Sequence, residues 1–338
     1  MSEYIISAAE FEARFPFDSL KQVLLYGSMV FSQDDVEKQS SPGNLVDTIF
    51  IVSDTDEFHD ANFRTNMGDY PFILKLSSGY GLVGPWISKR IQTAGAKTSY
   101  FTDVQIAGEH TKYGVIGIDD YISDLENWDT LYMAGRAHKV QHVIPINDAD
   151  VAARLEQARR SNLEAAVRVG LLMNHAHEEI SEIDLIETIV GISYLGDVRS
   201  RVGAKGKDKE KKLMRQLEGL TLMYKPILKQ WVQEGLLTSR EGDDEQIFYS
   251  RIISVEELSR LLPQNLALKL EKFTEGEIDA RLISAISEIN SESSTVQALK
   301  GIITAGIWTS LQYAAAKLLK GKLRDSKGES IIKTIFRL

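Results

Sequence analysis

The sequence has no cysteine and no long apolar run. The absence of cysteine from all 338 residues excludes disulfides, thiolate metal sites, cysteine nucleophiles and iron–sulfur ligation. The longest uncharged stretch near the C-terminus, residues 301–316, contains Thr, Ser and Gln. Because a transmembrane helix needs about 20 consecutive apolar residues, the sequence predicts no spanning helix there. A transit peptide is also not expected, since such peptides are poor in acidic residues and Glu3, Glu10 and Glu12 are among the first twelve residues.

Positive charge is scarce except at the C-terminal end. The chain has 39 Lys and Arg residues against 48 Asp and Glu residues, a net charge of −9, and hydrophobic residues make up 43% of it. This is the composition of a globular protein, and its length suggests about two domains. Binding of nucleic acid over such an acidic surface is not expected. From residue 295 onwards, however, eight Lys and Arg residues accompany only two acidic ones, which favours contact with an anionic surface.

Short apolar runs bounded by turn residues predict strands in the first 145 residues. Strands that alternate with helices indicate an α/β layer. The predicted strands are Gln22–Tyr26, Leu45–Val52, Thr98–Ala107 and Lys112–Ile118, and the predicted helices are Glu57–Met67 and Asp119–Trp128.

The middle of the chain has helical periodicity followed by a hairpin pattern. Three helices and then two strands is the order of a winged helix, and the residues after the hairpin, 254–292, are predicted to be helical. The predicted helices are Ala149–Asn174, Ile183–Ile192 and Leu213–Glu234, and the hairpin strands are Leu236–Ser239 and Gln246–Ile252.

A glycine–serine pair and an aspartate on the next strand form the first candidate site. Gly27 permits a tight turn after the first strand, and Ser28 offers a hydroxyl and an N–H group to an anion. Asp47 on the neighbouring strand can hold Mg²⁺ against a triphosphate. This is the arrangement of polymerase-β-type nucleotidyltransferases. A plain turn and a capping or ion-paired aspartate are the alternatives, and Ile49 stands where the general signature has a second carboxylate.

These patterns together predict a mixed α/β (α+β) fold in three parts. Residues 1–145 would form a polymerase-β-like nucleotidyltransferase domain, and residues 146–292 a winged-helix-like helical domain. Residues 293–338 would form a basic amphipathic C-terminal segment that associates with a membrane.

A longer series of motifs runs in one order through nearly the whole chain, from about residue 22 to 325. The motifs are Tyr26-Gly27-Ser28, Val46-Asp47, Lys112-Tyr113-Gly114, Leu131-Tyr132-Met133-Ala134-Gly135-Arg136, Gly191-Ile192-Ser193-Tyr194, Gly196-Asp197 and Lys300-Gly301-Ile302. This series resembles the mitochondrial-type phosphatidate cytidylyltransferase family, that of the translocator assembly and maintenance protein. Asp69-Tyr70 departs from the family's His-Tyr, and the family's mitochondrial presequence is not seen, so a bacterial or otherwise non-imported member is expected.

The resemblance implies transfer of CMP from CTP to phosphatidate, with release of pyrophosphate and with Mg²⁺ as cofactor. On this interpretation Asp47 binds the metal and Asp124 is the second ligand. Asp119 or Asp120 is the next candidate for that second ligand. Lys112 is the third catalytic candidate and would neutralise a phosphate. The candidate nucleotide-binding residues are Tyr26, Gly27, Ser28, His59, Asn62, Lys112, Arg136, Lys139, Asp197 and Arg199. For the charged and polar ones among them, a solvated or ion-paired surface role is the alternative.

The C-terminal segment has an apolar stripe at helical spacing followed by basic residues. We expect a helix that lies in the surface of an anionic membrane with Trp308 near the headgroups. The alternative is a helix packed on the body of the protein. The candidate membrane-contacting residues are Trp308, Lys317, Lys320, Lys322 and Arg324.

Two other functions remain open from the sequence. An enzyme of nucleotidyltransferase fold that acts on protein or RNA would share Gly27-Ser28 and Asp47, and a membrane assembly factor without enzymatic activity is the third possibility. The expected location of the lipid-directed enzyme is peripheral, on the cytoplasmic face of the cell membrane, or on the mitochondrial inner membrane in eukaryotic members of the family.

Overall fold

The fold is given by a computed structural model with two sheets and a series of helices. It describes residues 6–27, 45–70, 90–146, 148–196, 216–242, 246–274 and 276–305; the side chains of residues 298, 299 and 301–305 are not included. Ser28, Asp197, Arg199 and the five membrane candidates from Trp308 to Arg324 lie outside the described residues.

A five-stranded sheet in the order β3-β4-β2-β1-β5 forms the first half of the protein. Strands β2 and β4 are parallel, whereas β1 is antiparallel to β2 and β5, and β3 is antiparallel to β4. The strands are β1 (Leu20–Tyr26), β2 (Val46–Val52), β3 (Ser99–Ile106), β4 (Glu109–Gly117) and β5 (His142–Pro145), and the helices around them are α1 (Ala8–Arg14), α2 (Thr55–Thr65), α3 (Ile118–Asn127) and α4 (Ala134–Ala137).

Both faces of this sheet are covered, which explains why its strands read as nearly continuous apolar runs. One face packs against α1 and α2 through an aromatic core in which Phe50 stacks on Tyr113 at 4.7 Å between ring centroids. The other face packs against α3 and the first long helix through residues such as Leu24 and Ile49. Because side chains alternate along a strand, each residue's face is fixed by its position.

The second half of the chain is mainly helical. A long helix, α5 (Ala149–Met173), is followed by β6 (Ile180–Ser181), α6 (Glu182–Ile192), α7 (Leu217–Gln233), β7 (Leu237–Glu241) and β8 (Ile247–Arg251). The three strands form a small antiparallel sheet in the order β6-β8-β7. The predicted hairpin is therefore confirmed.

The region after the hairpin is three helices rather than one continuous helical stretch. They are α8 (Val255–Arg260), α9 (Gln264–Leu270) and α10 (Ile278–Ala305). Pro263 ends the first segment because its ring removes a donor and disfavours helical geometry in the residue before it. Helix α10 continues through the predicted domain boundary at residue 292 without interruption.

The sequence predicted the strands β1 to β4 and helices α2, α3, α5 and α6 to within a few residues, but it missed α1, α4, β5 and β6. These elements are two to seven residues long, too short for periodicity to reveal. No helix within the described ranges is long and apolar enough to cross a membrane.

A buried polar network joins the two halves of the chain around Asn162 of α5. The Asn162 side-chain oxygen accepts from Trp128 Nε1 at 2.8 Å, and His138 Nε2 lies 3.2 Å from the same oxygen. The Asn162 amide donates to the Ala134 carbonyl at 3.0 Å, and Tyr224 of α7 donates to the His138 carbonyl at 2.9 Å. These bonds satisfy polar groups that would be costly to bury alone.

We predict that unfolding becomes easier as the pH falls from neutral towards about 5, because His138 is buried and neutral. Burial lowers the pKa of His138 from 6.5 to about 3, so the unfolded chain takes up a proton that the folded chain does not. The loss should be about 1–2 kcal/mol for this residue at about pH 5. Urea denaturation at the two pH values measures it.

The variant His138→Gln should show a shallower loss of stability over the same pH range, although it is less stable at neutral pH. The exposed His177 provides the control, since His177→Gln should keep the slope of the parent protein. An unchanged slope in His138→Gln would contradict the assignment.

Candidate active site

Asp47 lies near one end of β2, on the face of the sheet that meets α3 and α4. Its side chain is 34% exposed. Burial raises the pKa of Asp47, and the nearby Lys112 and Arg136 oppose that effect. Gly27 follows β1 with a φ of +92°, and a Cβ added there would lie 3.2 Å from Asp47 Oδ2. A glycine is therefore needed for both the turn and the close approach to the carboxylate.

Lys112 reaches the same point from the neighbouring strand. It is opposite Asp47 in the parallel β2–β4 register, and its Nζ lies 3.7 Å from Asp47 Oδ1. The ammonium group also sits over the Tyr100 ring, 4.5 Å from the centroid. Burial works to lower the pKa of Lys112, but Tyr26, Asp47 and Tyr132 outweigh it and the net pKa is raised.

Arg136 of α4 supplies a second cation beside the first. Its guanidinium lies 3.7 Å from the centroid of the Tyr132 ring and 5.8 Å from that of Tyr26. Its NH1 donates to the Tyr132 carbonyl at 2.6 Å, whereas its buried Nε has no hydrogen-bond partner among the described residues. A planar guanidinium is well shaped to bind phosphate oxygens.

Lys139 extends this group of cations towards the helical half of the protein. Its Nζ donates to Ser193 Oγ at 2.8 Å and sits 4.0 Å from the centroid of the Tyr194 ring. Gly135 makes the approach possible, since a Cβ added there would lie 2.7 Å from the Cβ of Ser193. The end of α6 thus borders the candidate site, which we define as Tyr26, Gly27, Asp47, Tyr100, Lys112, Tyr132, Arg136, Lys139, Ser193 and Tyr194.

The candidate site fits a divalent cation together with a phosphate-bearing ligand. Mg²⁺ commonly binds one or two carboxylates and completes its shell with water and substrate phosphates. Asp47 supplies a partly exposed carboxylate of this kind. Within the described residues no three His, Cys, Asp or Glu side chains form a ready-made metal site, so substrate oxygens would complete the shell.

Comparison with known proteins identifies the family. The sequence model described as "Phosphatidate cytidylyltransferase, mitochondrial" matches residues 10–320. The chain belongs to the mitochondrial phosphatidate cytidylyltransferase family. Proteins of that name include one from Schizosaccharomyces pombe, 32% identical over 328 residues that cover 88% of this chain and 79% of the relative. Relatives from Bos taurus (32% identical, 91% and 92% covered) and Xenopus laevis (29% identical, 94% of both) share the name.

Not every predicted residue of this phosphatidate cytidylyltransferase family member lies at the candidate site. His59 and Asn62 point from α2 into the aromatic core on the opposite face of the sheet, and both are buried. His59 Nδ1 lies 3.0 Å from Tyr70 Oη, and Asn62 donates to Tyr113 Oη at 2.9 Å. Burial lowers the pKa of His59 to about 4. His59 and Asn62 therefore lie away from Asp47 and hydrogen-bond to phenol groups inside the aromatic core.

Asp124 is also buried, with only 4% of its surface exposed. One of its oxygens accepts from Thr130 N and Oγ1 at 2.6 and 2.8 Å, and the other from Met133 N and Ala134 N at 2.7 and 3.1 Å. The carboxylate therefore holds the turn that leads into α4, in which Leu131 has a φ of +55°. Its role as a second metal ligand stays a prediction, since the observed bonds assign its oxygens to the backbone.

The two other candidates for the second metal ligand, Asp119 and Asp120, are ion-paired near the surface. Asp119 pairs with Arg154 at 3.2 Å and Asp120 with Lys97 at 2.6 Å. Asp69, where the family pattern has histidine, pairs with Arg14 at 2.8 Å.

Sequence reasoning did not assign a role to Tyr100, Tyr132, Ser193 or Tyr194. Tyr132, Ser193 and Tyr194 belong to the motifs that carry the family resemblance, so the signal was present for these three. Motif membership does not say which side chain faces the site, however, and contacts between β3, α4 and the end of α6 join distant parts of the chain.

We predict that Asp124→Ala destabilises the protein by about 3 kcal/mol or more, because buried donors in the turn before α4 lose a charged acceptor. The free energy of unfolding in urea measures the loss. Asp119→Ala is the matched control and should change stability by less than about 1 kcal/mol, since its ion pair is exposed. Unchanged stability in Asp124→Ala, with activity lost and a higher Mg²⁺ requirement, would instead support the role of metal ligand.

Proposed function

We propose that this chain transfers CMP from CTP to phosphatidate at the candidate site, releasing pyrophosphate. The observation that carries the proposal is the meeting of Asp47, Lys112 and Arg136 at one end of the sheet, beside the turn at Gly27. Family membership indicates that the two substrates are CTP and phosphatidate. The charges of Asp47, Lys112 and Arg136 would allow these two polyanions to bind close together.

The nucleophile in this reaction is a phosphate oxygen. A phosphate monoester has a second pKa of about 6, so the attacking oxygen of phosphatidate is already anionic at neutral pH. It forms a bond to the α-phosphorus of CTP, and the bond from that phosphorus to the bridging oxygen breaks as pyrophosphate leaves. A strong base is not needed; positioning and neutralisation of charge are.

Different residues of the candidate site would contribute to this positioning and neutralisation of charge. Asp47 would hold Mg²⁺, which neutralises charge on the triphosphate and on the departing pyrophosphate. Lys112 and Arg136 are fixed by cation–π contacts on Tyr100 and Tyr132, so their charges need little reorganisation when substrate arrives. Gly27 and Ser28 would cradle the triphosphate through backbone N–H groups.

The helical half would close the site from the other side. Lys139, held between Ser193 and Tyr194, is placed to take a phosphate oxygen of either substrate. Asp197 and Arg199 follow Ser193 closely in the chain, and we propose that they also face the nucleotide. Among the described residues, the order helix, strand, helix, helix, strand, strand and the sheet order β6-β8-β7 support a winged-helix-like domain. Gly27, with its positive φ and its close approach to Asp47, supports a polymerase-β-like domain.

Phosphatidate is embedded in a bilayer, so the enzyme must work at a membrane surface. We propose that the basic C-terminal segment provides that contact as a peripheral anchor. Each basic residue near an anionic surface contributes about 1 kcal/mol, and an amphipathic helix adds apolar burial. This supports a peripheral location on an anionic membrane face.

We predict that Asp47→Asn lowers kcat by about a hundredfold to a thousandfold, as expected when a preorganised charge is removed from a transition state. The assay follows labelled CTP into CDP-diacylglycerol with phosphatidate vesicles and Mg²⁺. Asp103→Asn is the control, since Asp103 is 78% exposed and pairs with the exposed His110. Full activity in Asp47→Asn would contradict the proposed site.

The same assay with RNA or protein in place of phosphatidate tests the main alternative. Label incorporated only into RNA or protein would reject the lipid-directed reaction. No incorporation into any acceptor by the unaltered chain would favour the non-enzymatic assembly factor.

We predict that reversing the charges of Lys317, Lys320, Lys322 and Arg324 to Glu weakens binding to anionic vesicles at least about a hundredfold. Co-sedimentation at about 0.15 M salt, where the screening length is about 8 Å, measures the loss. Neutral phosphatidylcholine vesicles give the baseline. Equal binding of the altered and unaltered chains to anionic vesicles would show that this segment is not the anchor.

A further inference from the structure

Lys300 is a charged residue in the interior of the protein. It lies near the end of α10 and is only 5% exposed. Its ammonium group donates to three backbone carbonyls of the segment before β3: those of Gln92 at 3.4 Å, Ala94 at 2.6 Å and Thr98 at 3.1 Å. Burial lowers the pKa of Lys300 to about 8, so the group is protonated at neutral pH. A charge is tolerated at such depth when it is well hydrogen-bonded.

The neighbouring residues of α10 reinforce this contact. Gln297, one turn earlier, donates to the Thr98 carbonyl at 3.4 Å. Val296 packs against Gly95, where an added Cβ would lie 2.6 Å from Val296 Cγ1. The φ of Gly95 is +54°. The helix and the segment 92–98 therefore fit together at a distance that only glycine permits.

The segment is held from its other side by Gln92. The Gln92 amide donates to the carbonyls of Lys97 at 2.6 Å and Val115 at 2.8 Å, and its oxygen lies 3.3 Å from His59 Nε2. The backbone of residues 92–98 is thus fixed between α10 and the core of the five-stranded sheet.

This segment leads directly into β3, which carries Tyr100. The Tyr100 ring lies against Gly114 of β4, where an added Cβ would be 2.7 Å from Tyr100 Cε1. The ring supports the ammonium group of Lys112 and lies 6.3 Å from the Tyr132 ring that carries Arg136. A shift of Thr98 would therefore displace Tyr100, two residues away, and with it the ammonium group of Lys112 that the ring supports.

We propose that Lys300 is a positioning residue of the active site: by holding the carbonyls of residues 92–98 it fixes the start of β3 and, through it, the place of the Tyr100 ring beneath Lys112. The inference rests on the proposed function, since it assigns to Lys112 the neutralisation of phosphate charge. Lys300 itself touches no substrate.

The test is Lys300→Met, which keeps an apolar stem and removes the three donors. Because misplacement of a catalytic group by about 1 Å can cost a hundredfold in rate, we expect kcat to fall by about tenfold to a hundredfold while the KM for CTP changes little. Lys272→Met is the control, since Lys272 is 59% exposed and pairs with Glu288. Kinetic constants are expressed per folded molecule, and the melting temperature is recorded alongside.

Two further variants keep the proposal testable if Lys300→Met folds poorly. Gln297→Leu removes one hydrogen bond to the same Thr98 carbonyl and should lower kcat in the same direction by a smaller factor. In a Tyr100→Leu background, Lys300→Met should produce no additional decrease in kcat, because residues that act through one another are not additive.

A lower melting temperature with unchanged kcat in both Lys300→Met and Gln297→Leu would overturn the proposal and leave Lys300 as a structural contact. Additive effects of Lys300→Met and Tyr100→Leu would overturn the route through Tyr100. If the unaltered chain gives no CDP-diacylglycerol, the proposed function fails instead, and this outcome is separate from the other two.

Discussion

The candidate site depends on the alignment of three neighbouring strands. In the register of the sheet, Tyr26 of β1 is opposite Asp47 of β2, and Asp47 is opposite Lys112 of β4. Residues that are paired across strands point to the same face. A slip of one residue in either pairing would turn Asp47 or Lys112 into the aromatic core. Because both faces of the sheet are covered, the cost of burying either charge in that core opposes the slip.

The second requirement is that the helical half stays in place beside the sheet. Three contacts keep it there. Asn162 donates to the Ala134 carbonyl of α4 and lies beside His138. The ammonium group of Lys139 donates to Ser193, and α10 extends from the helical core to β3. Ile289 of α10 is buried in the helical core, whereas Lys300, three turns later, contacts the segment before β3. The two halves therefore share one helix, and this helix also runs through residue 292, where the helical domain was predicted to give way to the C-terminal segment.

The sequence predicted the parts of this site that are encoded locally. Gly27 and Asp47 were found because a turn after one strand and a charge at the start of the next must be adjacent when those strands pair. His59 and Asn62 show where local reasoning ends. They lie on a helix that the sequence predicted, but the burial of their side chains depends on the phenols of Tyr70 and Tyr113, which come from elsewhere in the chain. Asp124 was likewise chosen as a carboxylate near the site, although its backbone partners form only when the turn before α4 is folded.

The charges at the site are opposite in balance to those of the chain. The protein carries a net charge of −9, yet the candidate site contains three cations, Lys112, Arg136 and Lys139, and one carboxylate, Asp47. An aromatic ring supports each of these cations: Lys112 lies over Tyr100, Arg136 over Tyr132 and Lys139 over Tyr194. A ring holds a cation in place without neutralising its charge, whereas a carboxylate would compete with the substrate for it. Three cations against one carboxylate give the candidate site an excess of positive charge, which favours the binding of a polyanion in an otherwise acidic protein.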